Sequence, residues 1–456
     1  MDRGLKIKCL LTTFIILLSV SICAESFPAE SSRVREEAFN GMKMPGFDEY
    51  WSSTICQGCH DGIYDQHQQS MHERSFDNPV FQAEYFNVLM KDIEVPGLIN
   101  EARSCIACHS PITYINTGQG HITSKEQAAP GMSGVTCDFC HTIKGYKGDS
   151  PGNANYISEP GYQKLGPFQQ DTDWHHVYSE LQTKSEFCAI CHNRVNRLGL
   201  EIISTYSEWK KSGYAAAGIQ CQDCHMNAQG FLTGGMPVYE SGEAARLNVG
   251  APYRVRLYTH RFPGAHSRTQ VSGAITLKIE TPGAAVSPGD EMTVEVIVDN
   301  SRTGHKMPSG SAELRVMVLE LRAETGARVI PVPARSMMGS RGHDLAGEGE
   351  FDKLVLRDDV PEKSRLYRAV CVDKSGTQTL FPFDASLIIF DNRLKASEVR
   401  RETYSFSVPG NAKGAMKFIA SLRYIQYPPS FAEKVGVPAS VPIEIAAAER
   451  TVIVKE

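Results

Sequence analysis

Two patterns of apolar and polar residues divide the chain. From about Val271 onward, apolar side chains recur at every second position, as in Thr293-Val294-Glu295-Val296-Ile297-Val298 and Leu314-Arg315-Val316-Met317-Val318-Leu319. A period of two is the strand period, because successive side chains leave a strand on opposite faces. Turn pairs such as Pro282-Gly283 and Pro288-Gly289 punctuate these runs. Several short strands over 271–456 predict an antiparallel sandwich of immunoglobulin or fibronectin type. Cys371 falls on one such strand, where a buried free thiol is expected. Residues 25–270 keep no long period. Helical fragments alternate there with turn-rich stretches such as Lys144 to Pro167. The predicted class is α+β and multidomain, with a mostly irregular and helical region followed by an all-β one.

The first residues follow neither pattern. Arg3, Lys6 and Lys8 precede an apolar run from Cys9 to Ile22, and small residues follow at Cys23-Ala24. A basic start, a short apolar centre and a small-residue exit predict a secretory signal over 1–24. The run is shorter than the ~20 residues that a spanning helix needs. Acylation at Cys23 is the alternative, although Ile22 is bulkier than such a site prefers. Either way, the mature chain is expected outside the cytoplasm, in the periplasm or at the cell surface.

Charge and composition exclude some classes. Lys+Arg number 47 against 52 Asp+Glu, for a net charge of −5 over 456 residues. No basic face is implied, so nucleic acid is not an expected partner. At 41% hydrophobic residues the chain is too apolar for a disordered protein.

The 13 cysteines and 14 histidines change the picture more. Ten cysteines form five C-x-x-C pairs, each followed at once by histidine: Cys56/Cys59/His60, Cys105/Cys108/His109, Cys137/Cys140/His141, Cys188/Cys191/His192 and Cys221/Cys224/His225. This spacing is the attachment signature of c-type haem. Two thiols one helical turn apart add to two vinyl groups, and the next residue brings an imidazole under the iron. Disulfides would not require a histidine after every second cysteine. Structural zinc would pair the knuckles into four-ligand sites, which an odd number does not allow. A thioredoxin-like motif would occur once. Five covalent haems are the expectation.

The first cysteines sit at 56, 105, 137, 188 and 221, so long and short steps alternate. Ser133-Gly134-Val135-Thr136 before the third motif parallels Ala217-Gly218-Ile219-Gln220 before the fifth. A duplicated two-haem unit is inferred, with motifs two and three in one copy and four and five in the other. So little polypeptide per haem predicts that the porphyrins themselves supply the apolar interior.

Nine histidines remain as second axial ligands: His67, His72, His121, His175, His176, His260, His266, His305 and His343. Imidazole suits a low-potential electron-transfer iron. His72 lies one short helix after the first motif, and His67 is expected on its solvent side. His121 follows a flexible Gly118-Gln119-Gly120. Of His175 and His176, helical neighbours pointing about 100° apart, one is expected to ligate, and His176 is preferred. His260, in a segment fixed by Pro263 and Gly264, is preferred to His266. His305 is expected to enter the haem region from a loop pinned by Gly304 and Pro308. His343 reads as plain loop.

The Ser70-Met71-His72 element, the Gly-x-x-Cys-x-x-Cys-His pattern at motifs three and five, and Ser185-Glu186-Phe187-Cys188-Ala189 resemble the tetrahaem electron-transfer cytochromes linked to hydroxylamine oxidation. Those share haem packing with hydroxylamine oxidoreductase and pentahaem nitrite reductase. His260 to Gly264, followed by Gly304-His305 and Pro308 in a β region, resembles exported bacterial multihaem cytochromes with a C-terminal sandwich. The resemblance implies closely stacked haem pairs, bis-His iron and electron transfer. This chain departs from it in having five motifs rather than four, and it lacks the Cys-x-x-Cys-Lys motif of the nitrite reductases.

The expected role is therefore electron transfer as a carrier or conduit, with redox proteins, among them other multihaem cytochromes, as partners. One alternative is an oxidoreductase acting on a small nitrogen or sulfur compound at one five-coordinate haem. Another is a filament subunit assembled through edge strands of the β region or through a histidine shared between subunits.

Overall fold

Each motif is carried on a helix whose single turn brings its two cysteines to one face. The five helices are α1 (Ser53–Gln68), α2 (Leu98–His109), α3 (Cys137–Cys140), α4 (Ser185–His192) and α5 (Cys221–His225) in a computed structural model. The structure describes residues 49–169, 175–245, 251–347 and 360–455. The segment read as a secretory signal lies outside the described residues.

Side-chain caps start several of these short helices. Ser52 Oγ accepts from the Thr54 N–H at 3.4 Å, and Thr136 Oγ1 accepts from the Phe139 N–H at 3.3 Å. At α5 the Asp223 carboxylate accepts from the Gln220 N–H at 2.7 Å, the reciprocal half of a capping box. Within α1 the chain kinks at His60 (φ −110°, ψ 42°), which turns that imidazole off the helix line.

Apolar clusters in this region are small. Phe139, Tyr156, Ile112 and Ile190 form one, and Tyr85, Leu89, Leu98 and Ile106 another. They flank the motif helices without filling the space between them.

Among the described residues beyond 270 there are twelve strands: β1 (Thr276–Glu280), β2 (Ala285–Val286), β3 (Glu291–Asp299), β4 (Val316–Thr325), β5 (Arg328–Val332), β6 (Arg365–Tyr367), β7 (Ala369–Val372), β8 (Gln378–Thr379), β9 (Leu387–Asp391), β10 (Val399–Ser407), β11 (Gly414–Ile425) and β12 (Ile443–Val454). One sheet runs β2-β12-β11-β4-β5, with β6 also on β4, and a second runs β10-β3-β1. Val294, Val296 and Val298 of β3 and Tyr404 and Phe406 of β10 meet Met317, Leu319, Phe418 and Leu422 of the larger sheet in one core. Burying each such side chain stabilises the fold by about 1.5–3 kcal/mol.

The alternation at 293–298 is thus one buried face. The run at 316–319 is buried on both, because Val316 and Val318 turn to a second cluster with Ala346, Leu366 and Ile425. A third sheet, β8-β7-β9, holds Cys371, which is buried against Ile202 and Ala385.

The described residues fall within one compact unit. Asn196 Nδ2 donates to the carbonyls of Pro382 and Ala385, each at 2.7 Å, and Arg197 Nε donates to the Phe383 carbonyl at 3.1 Å. Phe383 packs with Leu98 and Ile106, and Phe431 with Ala83, so the β strands and the motif helices share apolar contacts. Among the described residues no helix is long and apolar enough to cross a membrane.

Candidate metal centres

One cavity of about 1020 Å³ is lined by cysteines and histidines of all five motifs. An ordinary small-molecule pocket is roughly 300–1,000 Å³. The cavity stands at the top of that range and its wall runs past every motif, which suits bulky apolar groups and is consistent with the smallness of the apolar clusters around it.

Inside it, the imidazoles stand in facing pairs. Ring centroids are 6.0 Å apart for His60 and His175, 6.2 Å for His72 and His192, 6.2 Å for His141 and His260, and 6.4 Å for His225 and His305. Two metal–nitrogen bonds of roughly 2 Å plus the two ring radii come to about 6 Å. Each pair therefore fits one metal ion held between two imidazoles. Among the described residues no three His, Cys, Asp or Glu side chains gather as a cage for a metal. The donors come in twos, which fits an iron whose other ligands belong to a macrocycle.

Backbone carbonyls orient the rings. The Nδ1–H groups donate to carbonyls at 2.7 Å from His60 to Ala244, 3.0 Å from His109 to Ser75, 2.6 Å from His141 to Leu165, 3.1 Å from His260 to Tyr258 and 2.8 Å from His305 to Lys306. A carbonyl can only accept, so Nε2 is left as the free donor atom for a metal. Burial, reinforced by neighbouring imidazoles, pushes His72 and His175 down to about 3 and His225 and His260 down to about 4. These rings are neutral at pH 7, the form that ligates.

The motifs meet in space only partly as the repeat suggests, since four meets five but two does not pair with three. The Cys56 and Cys137 thiols are in hydrogen-bond contact, as are Cys108 with Cys191 and Cys188 with Cys221. Motif one therefore meets three, and motif four meets both two and five. Near the first contact, a Lys164–Asp138 ion pair at 2.5 Å and the Trp51 N–H bond to Asp138 at 2.8 Å tie α3 to the chain entering α1. Near the last, Ser185 Oγ accepts from the Cys221 N–H at 2.9 Å.

The two glycines of the Gly-x-x-Cys pattern answer different needs. A Cβ on Gly134 would lie 2.0 Å from the Glu73 carbonyl oxygen, so the chain beside His72 tolerates only glycine there. Gly218 has open space around it but a φ of +77°, which side chains disfavour.

Several histidines stand apart from the sequence-based expectation. His175, not His176, faces His60. The segment is extended, so neighbours point to opposite sides; His176 pairs with Lys164 in a short parallel ladder, and its Nε2–H donates to the Phe168 carbonyl at 2.7 Å. His121 is half-buried and is not among the residues lining the cavity. The buried anchor there is the adjacent Ile122, whose carbonyl accepts from the Tyr85 hydroxyl at 2.9 Å, and this turns His121 away. His67 is buried, not surface-exposed, with Nε2 bonded to the Val135 carbonyl at 2.9 Å and Nδ1 3.4 Å from Glu73. His266 lines the cavity without facing a motif histidine, and His343 lies in a loop beside Phe390.

His109 is the exception among the motif histidines. Its ring stacks on Phe81, with centroids 3.9 Å apart and an interplanar angle of 7°, and among the described residues no imidazole faces it. The cavity wall nearby is charged, with Glu84, Arg194, Glu313 and Arg315 among its lining. The sequence held one signal for this wall. Glu313 and Arg315 interrupt an otherwise apolar run from Ala312 to Leu319.

The family described as cytochrome c554 and c-prime matches residues 55–142, the stretch that holds motifs one to three. Among curated proteins, no relative matches this chain. A penta-heme cytochrome c552 from Thermochromatium tepidum shares the fold with a TM-score of 0.62 at 20% identity, over 89% of this chain and 100% of that one. Spo0M from Bacillus subtilis (TM-score 0.17, 11% identity, 40% of this chain and 50% of that one) and the human F-spondin reeler domain (0.19, 10%, 41% and 98%) score too low to bear on the fold. The family match and the shared fold support a multihaem c-type cytochrome.

Proposed function

We propose that this chain is an exported electron-transfer protein carrying five covalently attached c-type haems. The observation that carries the reading is the set of four imidazole pairs at 6.0–6.4 Å, each joining a C-x-x-C-H histidine to a second one. When bound, each haem supplies an iron(III)/iron(II) couple.

The chain's residues do the rest. The ten motif cysteines form the thioether links, and the five motif histidines ligate from one side. His175, His72, His260 and His305 close the irons of motifs one, four, three and five. Carbonyl acceptors fix ring orientation, and the cavity wall excludes water, which tunes potential. Contacts between motifs one and three, two and four, and four and five set the order in which neighbours can exchange electrons. The β region reads as an immunoglobulin- or fibronectin-like sandwich that delivers His305. Export is read from the basic start and short apolar run of residues 3–24, and redox proteins are the partners this role requires.

The test is an intact mass of the mature protein together with its EPR spectrum in the oxidised state. Five haem additions on a chain starting near residue 25, with four low-spin haems and one high-spin, are expected. Fewer than five additions, or two or more high-spin haems, would overturn the reading.

A second reading is favoured by His109, which no imidazole faces. An iron held there has one protein ligand, so the site suits binding of a small molecule as well as passage of an electron.

A further inference from the structure

The wall opposite motif two combines groups that the fold leaves unused. Glu84 lies one helical turn beyond Phe81, whose ring stacks on His109. Arg194 donates to Ser104 Oγ at 3.2 Å, immediately before Cys105, and pairs with the buried Glu101 carboxylate. From the β region, the segment leading into β4 brings Glu313 and Arg315 to the same cavity. Glu313 is only 5% exposed, and its Oε2 has no hydrogen-bond partner. Arg315 Nη1 donates to the Gln426 carbonyl at 2.6 Å, while its buried Nε is also unpartnered. A buried carboxyl oxygen and a buried guanidinium N–H without partners forfeit the hydrogen bonds they would make in water. Both orphaned atoms belong to residues that line the cavity.

We propose that Glu313 and Arg315, which line the same cavity as Glu84 and Arg194 beside motif two, form a binding site for a small monoanion with hydrogen-bond-accepting ends. The proposal rests on the second reading above, in which the motif-two iron keeps an open position.

Charge balance selects the anion. Glu101 neutralises Arg194, while the Arg315 guanidinium lies close enough to Glu84 and Glu313 to act on both electrostatically. Burial, together with their mutual repulsion, pushes Glu84 up to about 8; burial alone dominates in pushing Glu313 up to about 7. Below neutral pH, where both carboxyls are mostly protonated, the wall therefore holds the Arg315 charge with little carboxylate to offset it. The guanidinium offers its free N–H and the carboxyls offer O–H groups, which is a complete set of donors for one anion. A larger or apolar ligand would leave the same groups unsatisfied.

The probe is sodium azide, titrated into the oxidised holoprotein at pH 6 and followed by visible and EPR spectra. Azide is expected to convert the single high-spin signal, and Arg315→Gln is expected to weaken its binding roughly tenfold. Arg315→Lys keeps the charge, so it should recover most of that loss, and the haem count and melting temperature should stay those of the parent. If the Gln variant does not accumulate, Glu313→Ala replaces it: removing one donor should weaken azide at least threefold. Azide binding that is equal in parent and variants overturns the proposed site while leaving the open iron intact. Absence of any high-spin haem or azide response overturns the second reading itself, and the site with it.

Discussion

The two halves of this chain obtain their interiors by opposite means. Beyond residue 270, two sheets close over side chains that the chain itself supplies, Val294, Val296, Leu319, Phe418 and Leu422 among them. Before it, five motif helices line a cavity of about 1020 Å³, and the small apolar clusters lie to its sides. A strand region can encode its core in alternation, residue by residue. The motif region encodes instead the points at which an interior will be attached. The first kind of fold stands on packing, and the second on covalent chemistry.

Omitting the interior tests this contrast most severely. Chain produced without haem attachment should lose ordered structure over the motif helices while the strands persist. Limited proteolysis with mass spectrometry should then release a resistant fragment beginning near residue 271. Protection of α1 to α5 in haem-free protein would erase the distinction between the halves.

The converse perturbation is Phe418→Ala. This ring is 0% exposed and sits edge-on to Phe406 at 5.1 Å, so its removal should cost about 3–5 kcal/mol of stability, read by thermal or denaturant unfolding. The visible spectrum of the folded variant should match the parent, because the ring touches no motif.

A smaller change probes where the halves meet. His305→Ala should turn one low-spin haem high-spin in EPR while all five thioether-linked haems remain by mass. An unchanged spin count would remove the β region from the ligand set.

The smallest effect separates the halves by pH. Asp344 is buried, which by itself would raise its pKa, but hydrogen bonds from Ser340, the Met337 N–H and Ser336 and the charge of Arg365 together hold it below the usual carboxylate value. Its contribution is therefore fully present above an unfolded value of about 3.9 and is lost as pH falls through the lower folded value. Asp344→Asn should flatten the acid limb of β-region stability below about pH 4, measured by unfolding monitored at strand-specific amides.

Legibility in the sequence follows the same division. The strand alternation at 293–298 and the five attachment points could be read directly, since each is a local pattern with one physical cause. His72, singled out by its place one short helix after the first motif, and His260 and His305, singled out by Pro- and Gly-flanked segments, each face a motif histidine. Helical spacing favours His176 over His175, whereas the parallel ladder at His176–Tyr178 makes neighbours point to opposite sides and leaves His175 facing His60. His121 was misplaced because Ile122, one residue on, claims the interior. The spatial partnering of motifs depends on contacts such as Ser185 with Cys221 and Lys164 with Asp138, which join residues far apart in the chain. The repeat announced the meeting of motifs four and five, but no local pattern announces that of one with three or of two with four. The charged wall at Glu313 and Arg315 left a trace only as two charges in an apolar run, whose meaning depends on what lies opposite.

The loop that carries His305 is fastened on both sides: Glu208 accepts from the Lys306 N–H at 3.2 Å and from Ser309 Oγ at 2.7 Å, and Asn300 Nδ2 donates to the Lys395 carbonyl at 2.8 Å. Lys395 is synthesised long after His225, the ring that His305 faces. The ring opposite His225 is thus held in part by chain that follows it far along the sequence, and a product truncated before Lys395 would lack that hold on the His305 loop.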